Sequence, residues 1–306
     1  MHTKVAVIGS GPAGYTAGIY TARAGLETTL FTGNMTGGQL MLTHSVENYP
    51  GFSEISGIDL MDNFQKQALN LGVQLQYEEI VGVNFSKRPF RLKTDSGQRL
   101  TADCVIIATG SVAKWLNVPG ENKFKGRGIG ICAVCDGFFY KDKTVAVIGG
   151  GKSAVYEALY LAGIAKRVFL IVGSDKLKAE RPMIQKVLAH SKISIRWDSQ
   201  VQEFIGEDKL TDIRVKNKKT KQESLIAVNG AFVAIGMQPN SALFQDQLEL
   251  TKEGYIKTNC KTLQTSVEGV FACGDVQEEI YRQAIISAGT GCIAALSAEK
   301  FLNEHL

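Results

Sequence analysis

Lys4-Val5-Ala6-Val7-Ile8-Gly9-Ser10-Gly11-Pro12-Ala13-Gly14 returns further along the chain as Thr144-Val145-Ala146-Val147-Ile148-Gly149-Gly150-Gly151-Lys152-Ser153-Ala154. At the same offset Tyr20 matches Tyr160, Ala22 matches Ala162, Leu30 matches Leu170 and Gly33 matches Gly173. Each copy reads as an apolar β-branched strand, a glycine-rich turn, a helix-forming stretch and a second strand, which is a βαβ unit. The turns fit G-x-G-x-x-G and its G-x-G-x-x-A form. The first Gly makes the turn, the second lets a pyrophosphate approach the backbone, and the third small residue lets helix and strand pack closely. The helix N-terminus adds free N–H groups and positive potential. One such turn is weak evidence of a dinucleotide site; two in matched context predict an α/β protein with two Rossmann-like dinucleotide-binding domains.

The rest of the chain fits this reading. At about 150 residues per domain, 306 residues accommodate two. A hydrophobic share of 44% supports sizeable cores and excludes a disordered or collagen-like chain. Lys and Arg exceed Asp and Glu by only 34 to 30, so neither nucleic acid nor an anionic membrane is expected as a partner. No run of about 18 apolar residues stands out as a membrane span, and Met1-His2-Thr3-Lys4 enters the first strand without a signal-like segment. Six cysteines without an export signal point to the reducing cytoplasm. Cys104 and Cys273, in apolar runs, are expected in the core.

Between and after the repeats lie further strand ends. Ala108-Thr109-Gly110 closes the apolar run Cys104 to Ile107, and Ile235-Gly236 closes Gly230 to Ala234. Gly269-Val270-Phe271-Ala272-Cys273-Gly274-Asp275 delivers an acid to a strand's carboxyl end, where open α/β sheets bind ligands. Tyr281 to Phe301, rich in small residues, reads as a close-packed helix. The second domain is thus expected as an insertion: residues 1–111 and 243–306 form the first and 112–242 the second, with hinges at Val112 to Pro119 and Met237 to Ala242.

Cys132-Ala133-Val134-Cys135-Asp136 lies just before the second repeat. A zinc half-site would need a second ligand pair, and neither another C-x-x-C nor clustered His exists, so no metal is expected. Two inert core thiols remain an alternative. The spacing favours a redox dithiol, whose thiolates exchange readily, with Asp136 placed to exchange protons with them. Two dinucleotide domains flanking a dithiol imply an electron relay from nicotinamide through flavin to disulfide.

With these motifs and Thr36-Gly37-Gly38-Gln39-Leu40, Val46-Glu47-Asn48-Tyr49-Pro50-Gly51, Gly274-Asp275-Val276 and Ile280-Tyr281-Arg282-Gln283-Ala284, nearly the whole chain resembles the low-molecular-weight bacterial thioredoxin reductases. The resemblance implies FAD held in the first domain by Gly9, Gly11, Pro12, Ala13, Thr32, Gly33, Gly38, Gln39, Leu40, Asn48, Val83, Ala108, Thr109, Gly110, Gly274, Asp275, Arg282, Gln283 and Ala284. It implies a nicotinamide dinucleotide held by Gly149, Gly151, Lys152, Ser153, Ala154 and Lys178. Cys135 resembles the thiol that faces the flavin, Cys132 the thiol that attacks the protein disulfide, and Asp136 the acid/base. Arg127, Phe138 and Phe139 match positions that contact thioredoxin, although the residues alone would place both phenylalanines in a core. The resemblance also implies a homodimer and a rotating inserted domain.

One departure stands out. Neither repeat ends its second strand in the acid that usually holds a ribose, although Asp175 lies slightly beyond. Where the family carries His-Arg-Arg to clamp the 2′-phosphate of NADPH, this chain has Val172-Gly173-Ser174. Lys178, Lys176 and Arg181 are candidate replacements or a solvated face; Lys152 is a candidate phosphate ligand or simply exposed. The donor therefore stays open between NADPH and NADH. An alternative is a FAD-dependent dithiol oxidoreductase fed by another donor, or passing electrons to oxygen; a flavin-bound sensor without reductase activity is a third reading.

Overall fold

The computed structural model describes residues 1–305. The chain divides into two compact units, one formed by Met1–Val112 together with the chain from Gln238 onward, the other by Ala113–Met237. The insertion ends five residues before 242. Asn240 explains this: its N–H donates to the Gly110 carbonyl (3.0 Å), its Nδ2 donates to the Thr109 carbonyl (2.8 Å), and its own carbonyl accepts the Thr109 hydroxyl (2.8 Å).

The host unit begins with β1 (His2–Ile8), α1 (Pro12–Arg23), β2 (Thr28–Phe31), α2 (Gly57–Asn70) and β3 (Gln74–Gln76). Then follow β4 (Ile80–Asn84), β5 (Phe90–Thr94), β6 (Arg99–Ile107) and β7 (Ser111–Ala113). The order β3-β2-β1-β6 is parallel. Strand β6 starts earlier than the apolar run suggested, because its first half alternates and pairs antiparallel with β5, which pairs with β4.

The inserted unit contains α3 (Glu121–Phe124), β8 (Ile129–Gly130), α4 (Ala133–Asp136), β9 (Thr144–Ile148), α5 (Lys152–Ile164), β10 (Arg167–Ile171), α6 (Arg181–Ala189) and β11 (Ile193–Arg196). It continues with β12 (Ser199–Ile205), β13 (Asp212–Asn217), β14 (Glu223–Ala227) and β15 (Gly230–Val233). Its main sheet, β11-β10-β9-β15-β8, is parallel throughout, and β12-β13-β14 form an antiparallel sheet. The central strands are buried along nearly their whole length, as continuous Val/Ile/Ala runs in a parallel sheet require. Buried Glu121 fixes the start of the insertion, its carboxylate accepting the Leu116 N–H (2.9 Å) and the Asn117 N–H (2.8 Å). Part of each expected hinge is therefore tied down within its own unit, and the stretches left between are β7 and β16 (Met237–Pro239), which pair with each other.

The chain then completes the host with β17 (Val270–Ala272), parallel to the second half of β6, and α7 (Ala284–His305). The helix begins three residues later than expected, because the Glu278 carboxylate accepts the N–H groups of Ile280 (2.7 Å) and Tyr281 (3.0 Å) and holds them out of helical register. By length and composition α7 is long and apolar enough to cross a bilayer. In the fold it is a core helix. Ala294, Ala295, Ala298 and Phe301 share one apolar cluster with Val5, Val7, Ala13 and Tyr15.

A Cβ on Gly291 would stand 2.2 Å from the Ala13 carbonyl oxygen, so α7 lies directly on the backbone of α1. Gly291→Ala is expected to cost about 1–3 kcal/mol through overpacking and to lower the thermal midpoint by several degrees. Gly163→Ala, in open space near the end of α5, should leave it unchanged or raised. A pair of thermal melts checks both.

Candidate active site

In the host unit the first glycine turn is pressed against β6. Gly9 has φ +112, and a Cβ there would lie 2.3 Å from the Ala108 carbonyl oxygen; one on Gly14 would lie 1.8 Å from the Gly9 carbonyl oxygen. A Cβ on Gly11, by contrast, would meet nothing within 4 Å. Helix α1 therefore opens with Gly11 at its N-cap, Pro12 in the first turn and no side chain capping its leading N–H groups. The Ser10 hydroxyl donates to the Thr32 carbonyl (2.9 Å) and accepts the Gly37 N–H (3.0 Å), which draws the loop carrying Thr32, Gly33, Gly38, Gln39 and Leu40 to the same turn. Gly38 packs on Gly11, where an added Cβ would sit 3.3 Å from the Gly11 Cα.

Gly274 brings β17 to this point, its ideal Cβ position 2.9 Å from the Ala13 Cβ. Asp275 follows, half-buried, with its carboxyl accepting the Ser287 hydroxyl (3.1 Å) and raised above the ordinary aspartate range by burial. Asn48 Nδ2 donates to Gln283 Oε1 (3.3 Å), and Arg282 Nη1 donates to the Tyr255 hydroxyl (3.2 Å). Val83 lies on β4, packed on the core that holds Ile8 and Phe31. An open helix N-terminus suits a pyrophosphate and a half-buried carboxyl suits a sugar hydroxyl, so the residues fit a flavin dinucleotide.

The inserted unit repeats the device. Gly149 (φ +148) would place a Cβ 2.3 Å from the Ala234 carbonyl oxygen, and Gly151 again faces open space at the start of α5. The third position is Ala154, fully buried, with Ser153 half-buried beside it. A cavity of about 360 Å³ opens at the carboxyl ends of β9, β10 and β15, lined by Ile148, Gly149, Ile171, Gly173, Ser199 and Ile235 among others. Lys178 comes beside the turn through its backbone, its N–H donating to the Gly150 carbonyl (2.7 Å). Lys152 Nζ pairs with Glu180 Oε1 at 2.8 Å, a partner the sequence alone does not suggest.

Cys132 and Cys135 form a disulfide across the first turn of α4, with Cα atoms 5.3 Å apart. Cys132 is the N-cap: its Sγ accepts the Cys135 N–H at 3.2 Å, a bond that favours the thiolate once the pair is reduced. Cys135 is the more exposed of the two. Asp136 turns inward, and burial raises its carboxyl above the ordinary 3.8. Its Oδ2 would be 2.8 Å from a Cβ on Gly130, so a side chain at that point of β8 would push the carboxyl aside. Tyr140 stands nearby, raised by burial and by the Asp136 charge, its ring edge-on to Phe232 at 5.5 Å. Sequence reading missed Gly130 and Tyr140, since neither belongs to a motif and only the fold brings them to Asp136. Phe138 and Phe139, which the residues alone would bury, are 66% and 50% exposed; Val134 and Arg127 are exposed too. Cys104 and Cys273 are buried free thiols, as expected.

Residues 3–291 match the family described as pyridine nucleotide-disulphide oxidoreductase. The chain is 48% identical to the thioredoxin reductase of Rickettsia conorii, with 99% of each chain covered, and 45% identical to that of Vibrio cholerae, with 99% of this chain and 98% of that one covered. Among solved structures, the thioredoxin reductase from Giardia duodenalis superposes with a TM-score of 0.94 at 39% identity, and that from Streptococcus pyogenes with 0.92 at 36%; both cover 99% of each chain.

Burial of Asp136 gives a prediction on stability. As the pH climbs from about 3.8, the unfolded chain releases this proton before the folded chain does, so stability is lost until the folded carboxyl has ionised as well. Asp136→Asn is therefore expected to be more stable than the parent at pH 7, with the difference closing towards pH 3.8. Denaturant titrations across that range measure it.

Proposed function

The chain belongs to the pyridine nucleotide-disulphide oxidoreductase family, among its low-molecular-weight thioredoxin reductases, and from that premise we propose that it passes electrons from NADPH or NADH, through FAD and the Cys132–Cys135 pair, to the disulfide of thioredoxin or a thioredoxin-like protein. The observation that carries this reading is the C-x-x-C disulfide with its N-capped Cys132 sulfur beside a half-buried carboxyl. FAD, when bound, supplies the two-electron relay between nicotinamide and disulfide. The open turn at Gly9, Gly11, Pro12 and Ala13, the loop from Thr32 to Leu40, Asn48, and Asp275 with Arg282, Gln283 and Ala284 would hold it. Gly149, Gly151, Ser153, Ala154 and Lys178 would hold the nicotinamide dinucleotide.

The exchange step uses the chain's own atoms. In the reduced pair the Cys132 thiolate, stabilised by the Cys135 N–H, attacks one sulfur of the partner disulfide. A Cys132–partner bond forms, and the partner's second sulfur leaves as a thiolate that takes up a proton. The Cys135 thiolate then attacks the Cys132 sulfur, the mixed disulfide breaks, and the partner departs with both sulfurs reduced while Cys132–Cys135 closes again. Asp136, its carboxyl raised by burial and placed next to Cys135 in the chain, gives and recovers the proton that these thiolates exchange. The exposed apolar trio Val134, Phe138 and Phe139, with Arg127, supports docking of a protein rather than a small disulfide.

Tyr20 on α1 and Ile285, Ile293 and Leu296 along one face of α7 are exposed apolar side chains, and they support a homodimer through that face. The free thiols Cys104, Cys260, Cys273 and Cys292 support a reducing compartment such as the cytoplasm.

Three experiments test the reading. Anaerobic stopped-flow absorbance with NADPH and with NADH should bleach the flavin within seconds for at least one donor; bleaching by dithionite alone would instead favour a different donor or oxygen as acceptor. Cys135→Ser should retain a stable mixed disulfide with thioredoxin on a non-reducing gel, whereas Cys132→Ser should not, and both should lose thioredoxin reduction by about a thousandfold or more. In sedimentation velocity, Leu296→Asp should shift the dimer towards monomer.

A further inference from the structure

The cavity at the carboxyl ends of β9, β10 and β15 has a distinct corner at Gly173, just past the end of β10. In a βαβ dinucleotide site this is the corner that meets the adenosine ribose. An acid there selects a free 2′-hydroxyl, and a cation selects a 2′-phosphate. Val172, Gly173 and Ser174 supply neither. Asp175, the nearest acid along the chain, is exposed and lies 3.8 Å from Lys219 Nζ.

A cation does arrive, from elsewhere in the same unit. The turn between β13 and β14 carries Lys218, Lys219 and Lys221. Lys218 Nζ donates to the Gly173 carbonyl at 2.9 Å, and it would lie 3.7 Å from a Cβ at Gly173. The turn is anchored to the β10 end through the segment that starts β12. Ser199 N–H donates to the Val172 carbonyl (2.8 Å), Asp198 N–H to the Ser174 carbonyl (3.0 Å), and Lys218 N–H to the Asp198 carbonyl (2.6 Å). Asn217 ties the turn further, donating to the Trp197 carbonyl and accepting the N–H groups of Lys219 and Thr220.

The two lysines differ in charge balance. Lys219 is paired with Asp198 at 2.9 Å, so its charge is compensated. Lys218 pairs with no carboxylate among the described residues; its partner is a neutral carbonyl, which positions the ammonium and uses one of its three donors. We propose that Lys218 is the residue that reads the 2′-phosphate of the electron donor, in place of side chains from the β10 end itself, and that it makes the crevice selective for a 2′-phosphorylated dinucleotide. This rests on the nicotinamide reading above and names the donor class that reading left open.

The test is direct binding to the FAD-loaded full chain by isothermal titration calorimetry, with adenosine 2′,5′-bisphosphate and 5′-AMP as probes. The parent should bind the bisphosphate at least about tenfold more tightly, the size of one charge-assisted contact. Lys218→Gln should lose most of that preference with AMP affinity unchanged. Lys218→Arg and Lys219→Gln should keep it. Equal binding of both probes by the parent, or an undiminished preference in Lys218→Gln, overturns the proposal. Failure of both probes to bind overturns it as well. The nicotinamide reading is judged separately by flavin bleaching with NADPH and NADH, which a wrong assignment of Lys218 leaves intact.

Discussion

Everything this protein can do with a dinucleotide depends on one steric constraint, met twice: a strand-to-helix turn whose backbone touches the carbonyl oxygen of the neighbouring strand. At Gly9 the neighbour is Ala108, and at Gly149 it is Ala234. Both glycines also hold a positive φ that other residues adopt only with strain. Because the turn is that tight, the next helix starts right above the strand end with no side chain in front of it. The open space at Gly11 and Gly151 is the consequence, and neither α1 nor α5 has a side chain capping its leading N–H groups. Widening either turn by one methyl group would misplace the helix and the cradle together.

The dithiol follows a different logic. The Cys132 sulfur needs only one backbone N–H and a short helical turn, both supplied locally by residues 132–136. The carboxyl beside it is expensive to hold. Asp136 is drawn into a half-buried pocket against Gly130, near Tyr140, and neither residue stabilises its charged form. A fold selected for stability alone would have a neutral residue there. Retaining the acid is what a proton-exchanging site requires, and the cost falls on the inserted unit.

The parts that the sequence made legible are those in which chemistry and local structure share one contiguous stretch. Both glycine turns, the strands before them and the C-x-x-C pair are of this kind, as is the delivery of Asp275 by β17. The reading faltered where a distant or competing contact decided the outcome. Glu278 delays the start of α7 by capturing two N–H groups, and Asn240 returns the end of the insertion to the host. Phe138 and Phe139 look like core residues because size and hydrophobicity alone do not reveal which face is left uncovered. Lys152 was open between a phosphate ligand and a solvated charge, and Glu180, far off in sequence, supplies a third role. Lys218 is one of several lysines in a polar turn, and nothing in the order of residues tells which of them reaches Gly173.

The nesting of the two units also sets an order of assembly during synthesis. The inserted unit is contiguous from Ala113 to Met237, so it has all its strands while the host still lacks β17 and α7. The host core cannot close in that interval, since Val5, Val7 and Tyr15 share their cluster with Ala294, Ala295 and Phe301. On the ribosome the guest unit is therefore complete in sequence before the host can close, and the host is completed by a helix long and apolar enough to cross a bilayer. Until that helix docks, its small-residue face and the surface of α1 that it covers are both bare, and exposed apolar surface of this kind is where misassembly starts.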